Sequence, residues 1–420
     1  MSSSARALSA LTAGLVCLAL VGASGCTAAP DDGDGRRDGT APTAASRSDP
    51  PPVTVAPSER GTADFCRVER PEAWAAAEER GRYGSGSGAA RRGVAVGADG
   101  ETVFAVEETG AGSELVALRD RGRKRRVVHA LTTVVDGRKN QYGSARFDGR
   151  WLVFEVGHDV DDWNDWSLYA WDSAGGSAPF LVTRHDKAVP GPALLVRVHG
   201  GKAAWTEGAR GGGQAVHLYD LAAREDAVVR TGRLGPVFLA GDLLGWREDP
   251  GAGGPVTVRA VSAGTGGPAA PPPVIAGIPG TAHLTGDGET WAWVSPDLRT
   301  LYAWRPGWEE SATVARAAEG ETVGQVEVTG DLVTWTGGAA VWAADLRSHS
   351  RTALTPGYGY LGASGTSLLV GYLPEGFGKD PAARKQAVDY VLRARELPPL
   401  PDCPAWIPVP QPATETGSAL

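Results

Sequence analysis

The chain has 420 residues, 42% of them hydrophobic and 21% charged, so most of it can bury a core and it falls outside the disordered class. Gly 58 and Pro 30 together make about a fifth of the chain, too much for a helical bundle and, without a triplet period, not collagen. The net charge of −8 gives no reason to expect nucleic-acid binding.

Arg6 supplies a short positive segment, and Ala7 to Val21 is an apolar run of signal-peptide length, too short to span a membrane as a helix. Gly22, Ala23, Ser24 and Gly25 then precede Cys26. Small residues before a cysteine resemble the bacterial lipobox, although Ala23 stands where that family has Leu or Val. The resemblance implies cleavage before Cys26 and a thioether-linked diacylglycerol on it, enough acyl chain for stable anchoring. Ordinary secretion with a cut nearby is the plainer alternative. The expected division is a signal peptide over 1–25, a disordered tether over 26–62, a folded part over 63–405 and a flexible tail over 406–420. The tether has almost no large apolar residue, so it cannot offset its own ordering entropy and spans on the order of 35 Å. The folded part is thus expected outside the cell membrane, held to it by the lipid alone.

Of the four cysteines, Cys17 lies in the apolar run and Cys26 is the lipid candidate. Cys66 and Cys403 remain, one at each end of the folded part. An even pair in an oxidising compartment favours a disulfide, and no His or Cys spacing suggests zinc. Between them, Pro71 to Arg80 reads as one short N-terminal helix, with Pro in the first turn and a run of alanines.

From about residue 92 to 395 one unit recurs seven times. A Gly turn (Gly100, Gly149, Gly200, Gly241, Gly288, Gly330, Gly365) is followed five residues later by Ala105, Phe154, Trp205, Trp246, Trp293, Trp335 or Val370. A second strand follows each first one, as in Leu168 to Trp171 or Leu301 to Trp304, with alternating and aromatic residues. Four short strands repeated at about 44-residue spacing are the mark of a β-propeller. The expected fold is all-β: a seven-bladed propeller of four-stranded antiparallel blades near 92–133, 141–184, 192–232, 235–280, 281–320, 321–357 and 358–403. The 14 Trp residues then become wedge packing between blades. Blade seven lacks a last strand, since three prolines follow Leu397 closely. Residues near 63–70, notably Phe65 to Val68, are expected to close it, with a Cys66–Cys403 bond fixing the closure.

Ser295, Pro296 and Asp297, with Leu301 to Trp304 after them, resemble the core motif of TolB-type repeats, and Ala353, Leu354 and Thr355 resemble their strand ending. Leu298 departs from the pattern, which has Gly there. The unit also resembles Trp-Asp-repeat propellers. The plan of lipobox, tether and propeller is similar to surface lipoproteins of high-GC Gram-positive bacteria.

Propeller geometry puts the second-to-third-strand loops and the links between blades on one face, where ligands are usually bound. The most distinctive loop there holds His158, Asp159, Asp161, Asp162, Trp163, Asp165 and Trp166, and the next link holds His185 and Asp186. The carboxylates offer hard oxygen ligands suited to Ca2+, and the two Trp residues can stack on sugar rings, but EF-hand spacing is absent. A solvated polar loop with its Trp residues folded onto the blade edge is the plainer reading, and neither a cofactor nor a metal ligand is assigned. Pro374 to Gln386 is a second long loop on this face. The basic hairpin Arg119 to Arg126, on the other face, reads as a solvated turn that blunts an outer edge. Thr285 to Trp291 partly resembles the Asp-box of sialidase propellers, once only.

No Gly-x-Ser-x-Gly elbow, H-E-x-x-H pair or phosphate loop occurs, so no catalytic residue is assigned. The leading expectation is a monomeric binding or scaffold module for an envelope protein or cell-wall polymer. The alternative is an extracellular glycan hydrolase or lyase using carboxylates of the loop face, which would need a close carboxylate pair in a cleft. A deep acidic pocket favours the enzyme; a shallow, Gly-lined face favours binding.

Overall fold

The computed structural model describes residues 65–403 except 84–90, 133, 136–137, 159–163, 193, 252–255, 279–280, 282, 339, 378–379, 381–382 and 384–385. The signal peptide, Cys26, the tether and the tail lie outside the described residues. Among the described residues no helix is long and apolar enough to cross a membrane.

Seven four-stranded antiparallel sheets succeed one another around an axis, their first strands innermost, so the chain is a seven-bladed β-propeller. Blade one is Arg91–Val96, Val103–Glu108, Gly112–Arg119 and Lys124–Thr132; blade two is Gln141–Phe147, Trp151–Gly157, Trp166–Asp172 and Phe180–Arg184. Blade three is Arg197–His199, Lys202–Gly208, Gln214–Asp220 and Glu225–Gly232; blade four is Leu234–Ala240, Leu243–Glu248, Thr257–Ser262 and Pro268–Ala269. Blade five is His283–Gly286, Trp291–Val294, Thr300–Trp304 and Ala312–Arg316; blade six begins with Val323–Thr329, Leu332–Gly337, Ala340–Asp345 and Ser350–Ala353. Blade seven takes Gly359–Ser364, Ser367–Tyr372 and Val388–Arg393 from this end of the chain.

The repeat has a backbone cause. All seven turn glycines have φ between 55° and 106°, a region that side chains rarely adopt, and each reverses the first strand into the second. Five residues on, Ala105, Phe154, Trp205, Trp246, Trp293, Trp335 and Val370 are all buried. They feed seven apolar clusters, one at each seam between neighbouring blades. Trp335 and Trp342 stack at 6.2 Å in blade six, so the Trp excess is largely packing.

Closure differs from the expectation. The first described strand, β1 (Cys66–Arg67), does not complete blade seven. It runs parallel to the outer strand of blade six, Cys66 opposite Ser350 and Arg67 opposite Arg351. The helix α1 (Glu72–Gly81) then buries Trp74 in the seam between blades six and seven, its indole N–H donating to Pro398 O at 2.9 Å. Strand β2 (Arg82–Tyr83) supplies the missing fourth strand of blade seven, Arg82 opposite Tyr390 and Tyr83 opposite Asp389. The helix covers the step between the two blades, which is why the closing strand lies beyond the helix and not before it. Gly81 permits the approach, since a Cβ there would lie 2.0 Å from Val391 O.

The cysteines do meet. Cys66 and Cys403, 337 positions apart in sequence, form a disulfide with Cα atoms 5.3 Å apart. The C-terminal segment returns to blade six to reach it: Leu400 N donates to Asp345 Oδ2 at 3.0 Å and Cys403 N to Ser348 O at 2.9 Å. Both ends of the fold are therefore clasped on the outer edge of blade six.

The departure at Leu298 is structural. Its φ of 61° is the left-handed conformation that Gly would adopt freely, and its side chain is 8% exposed in the seam between blades five and six. Ser295 holds the turn, accepting from Thr300 N at 2.9 Å on its hydroxyl.

Two stability outcomes are expected. Cys403→Ser lowers unfolding free energy by about 2–4 kcal/mol, read as a lower urea midpoint that reducing agent reproduces in the wild type. Leu298→Gly relieves about 1–2 kcal/mol of left-handed strain but forfeits about 2–3 kcal/mol of apolar burial, so the midpoint falls slightly. A rise would show that the seam gains little from the Leu side chain.

Candidate functional site

Blade two's second-to-third-strand loop and the link that follows its last strand do lie together. Gly191 N donates to Asn164 Oδ1 at 3.3 Å, and His185 N donates to Trp166 O at 3.0 Å. The second-to-third-strand loop of blade three joins them through Arg210 and Asp186 at 3.0 Å. Asp159, Asp161, Asp162 and Trp163 lie outside the described residues. The other candidates are placed.

His158 is held inside the blade, its Nε2 2.8 Å from Ser167 Oγ and its Nδ1 3.2 Å from Asn140 Oδ1. Asp165 is 3% exposed and pairs with Arg184 at 3.6 Å. Trp166 is not open to a sugar and follows the plainer reading of a side chain folded onto the blade, although it belongs to a strand and not to the loop. It begins the third strand of blade two, is 1% exposed, and stacks on His185 at 4.9 Å and 9°. Burial against the imidazole and the blade-three seam leaves it no face for a ligand. Asp186 is half-exposed and caps Ala188 N at 3.0 Å.

His185 leads into a polar network that crosses the seam between blades two and three. Its Nε2 donates to Val189 O at 2.8 Å, while Nδ1 lies 3.8 Å from Glu207 Oε2. Glu207 also takes the Trp205 indole N–H at 3.1 Å and faces His217 Nε2 at 3.3 Å. His217 Nδ1 donates to Asp226 Oδ2 at 2.8 Å, and its ring stacks on Trp205 at 4.9 Å. Both nitrogens of His217 thus face carboxylates, which suits an imidazolium. Burial pushes His217 down, but Asp226 and Glu207 outweigh it and leave it at about 9. Burial likewise pushes Glu207 up, and the hydrogen bonds from His185 and His217 bring it to about 2. The Glu207 contact raises His185 as well. Every ring nitrogen and carboxylate of this network has a partner, so the arrangement fastens two blades and offers no free acid or base within it. Among the described residues no group of three or more His, Cys, Asp or Glu is placed to hold a metal ion.

Above the network lies a shallow depression of about 530 Å³ between Ala188–Pro190 and the turn Ala209 to Gln214. Gly211, Gly212 and Gly213 all have positive φ, so its wall is bare backbone. A second, of about 450 Å³, lies on the opposite face between Asp148 to Trp151 and Gly200 to Lys202. The basic hairpin is tied down by its own acids: Arg123 pairs with Asp120 at 2.5 Å, and Arg125 with Glu107 at 2.8 Å and with Glu114.

Charged side chains on the inner strands escaped the sequence reading. Arg146 of blade two pairs with Glu327 of blade six at 2.7 Å, directly across the axis, and Gln325 Nε2 donates to the same carboxylate oxygen at 3.0 Å. Arg197 of blade three lies beside them. Burial and the Arg146 charge lower it to about 10, against the pull of Glu327. The signal was there to be found: Arg146, Arg197 and Glu327 each stand three residues before a turn glycine.

The chain is thus a propeller whose loop face is shallow at blades two and three and whose axis carries charge. No protein-family model and no curated protein matches it. Among solved structures it is similar to a prolyl endopeptidase, with 18% identity over 81% of this chain and 51% of that one (TM-score 0.48). It is similar to TolB from Acinetobacter baumannii, with 13% identity over 62% of this chain and 65% of that one (TM-score 0.39). It is also similar to an oligogalacturonate lyase from Vibrio parahaemolyticus, with 10% identity over 71% of this chain and 88% of that one (TM-score 0.47). The matched parts make up about half of the endopeptidase and under two thirds of TolB.

The Glu207–His217 pair sets a pH window. Glu207 contributes fully above the free carboxylate value of 4.5 and loses this as pH falls to about 2; His217 contributes fully below 6.5 and loses this as pH rises through about 9. Glu207→Gln should therefore destabilise most between pH 4.5 and 6.5, by about 2 kcal/mol, and less at either extreme. Urea unfolding at several pH values reads this, and a pH-independent loss would contradict it.

Proposed function

We propose that the protein is a non-enzymatic binding module: a monomeric propeller, anchored through a lipid on Cys26 at the outer side of the cell membrane, that docks an envelope protein on its loop face. The observation that carries this reading is the Gly-lined depression beside Arg210, which is shallow and walled by backbone, not deep and acidic. Exposed peptide groups and small residues let a partner's chain approach closely and find hydrogen bonds. The titratable groups beneath it are engaged with one another, which leaves the face suited to contact and not to proton transfer. A cell-wall polymer is the other occupant such a face would accept.

The test is capture by the lipidated protein from its own membranes, compared with Arg210→Glu. Arg210 is 84% exposed, so its replacement leaves the fold intact while placing like charge beside Asp186. A stable protein partner retained by the wild type and reduced about tenfold by the variant is the expected result. Turnover of cell-wall glycan by the purified protein would overturn the reading in favour of a hydrolase or lyase.

A further inference from the structure

The propeller axis carries a charged layer that neither the depression nor the blade seams use. Three residues before the turn glycine, blades two, three and six place Arg146, Arg197 and Glu327 at one height. At the same height blade seven has Gly362, where a Cβ would meet nothing within 4 Å, so the layer has room on that side. Glu327 is committed: its Oε1 takes both Arg146 and Gln325. One carboxylate therefore faces two guanidinium groups, and the layer keeps one net positive charge.

Arg197 is the group left over. Among the described residues its guanidinium makes no hydrogen bond or ion pair. Its five N–H donors are fixed in a fork that matches two oxygens of one anion. The side chain is only partly exposed, has no carboxylate of its own and stands against the charge of a second guanidinium, which adds to the cost of placing it there. His283 opens the inner strand of blade five and feels the Arg197 charge. Its Nε2 is buried and has no hydrogen-bond partner among the described residues. Two independent groups thus lack partners around one stretch of the axis.

We propose that this layer is an oxyanion site, in which Arg197 grips a carboxylate or phosphate through two N–H groups, with Arg146 beside it and His283 Nε2 as a further donor. Glu327 holds Arg146 in place and, by its own charge, keeps the anion on the blade-three side. The site is separate from the rim depression, so the loss of capture in Arg210→Glu leaves it untouched.

The experiment is calorimetric titration of the full chain with inorganic phosphate and, separately, with acetate, at constant ionic strength. One-to-one binding of either anion is expected, and which one binds more tightly distinguishes a tetrahedral from a planar ligand. Arg197→Met should weaken it about tenfold or more, and Arg197→Lys, which keeps the charge but loses the fork, should fall between. Tryptophan fluorescence checks folding; if the Met variant fails to fold, the Lys variant carries the comparison. Binding of neither anion, or equal affinity in wild type and folded variants, overturns the proposal.

Discussion

A ring of wedge-shaped sheets is stable only if it closes, because an open ring would leave two apolar blade faces in water. Here the burden falls on blade seven, which receives three strands from its own repeat and one from residues more than 300 positions earlier. The pairing is only two residues long, so hydrogen bonds alone hold it weakly. The seam does the rest: Tyr83 joins the cluster between blades seven and one, and Trp74 the cluster between six and seven. Bringing these distant segments together costs chain entropy that grows with loop length. The disulfide removes much of that cost from the unfolded side, and its placement on blade six lets helix α1 span the last seam like a strap.

That arrangement explains which parts of the fold were legible in the sequence. The glycine-plus-five spacing carries a backbone demand, positive φ, and a packing demand, a buried second strand, so it shows directly in residue types. Cys66 and Cys403 were legible as a pair because few cysteines remain to choose from. The closing strand was not. Cys66–Arg67 and Arg82–Tyr83 are both two-residue strands without a period, and only the tertiary path of α1 decides which blade each joins. Trp166 escaped for a related reason. It sits one residue beyond a polar loop, and the stacking on His185 that buries it comes from the far end of the blade.

The buried charges follow the same logic at the level of side chains. The Glu207 network, whose acids and imidazoles answer one another across a seam, could not be assembled from sequence because its members come from four strands or links. Asp389 is a second seam charge. It accepts Gly93 N at 3.0 Å and the Tyr360 hydroxyl, joining blade seven to blade one, and burial pushes it up to about 6. In both places the polar atoms are consumed by neighbours, which is what a group kept for holding blades together should show.

Arg197 obeys the opposite pattern. Its strand is only three residues long, and a small or apolar side chain there would cost nothing in pairing with Ala204. A guanidinium in that position, only partly exposed, meets repulsion from Arg146 without a compensating carboxylate of its own. Stability therefore gives no reason for the residue, whereas an anion on the axis would supply the missing charge and geometry at once. The contrast between satisfied charges at the seams and an unsatisfied one on the axis separates what closes this ring from what the closed ring can hold.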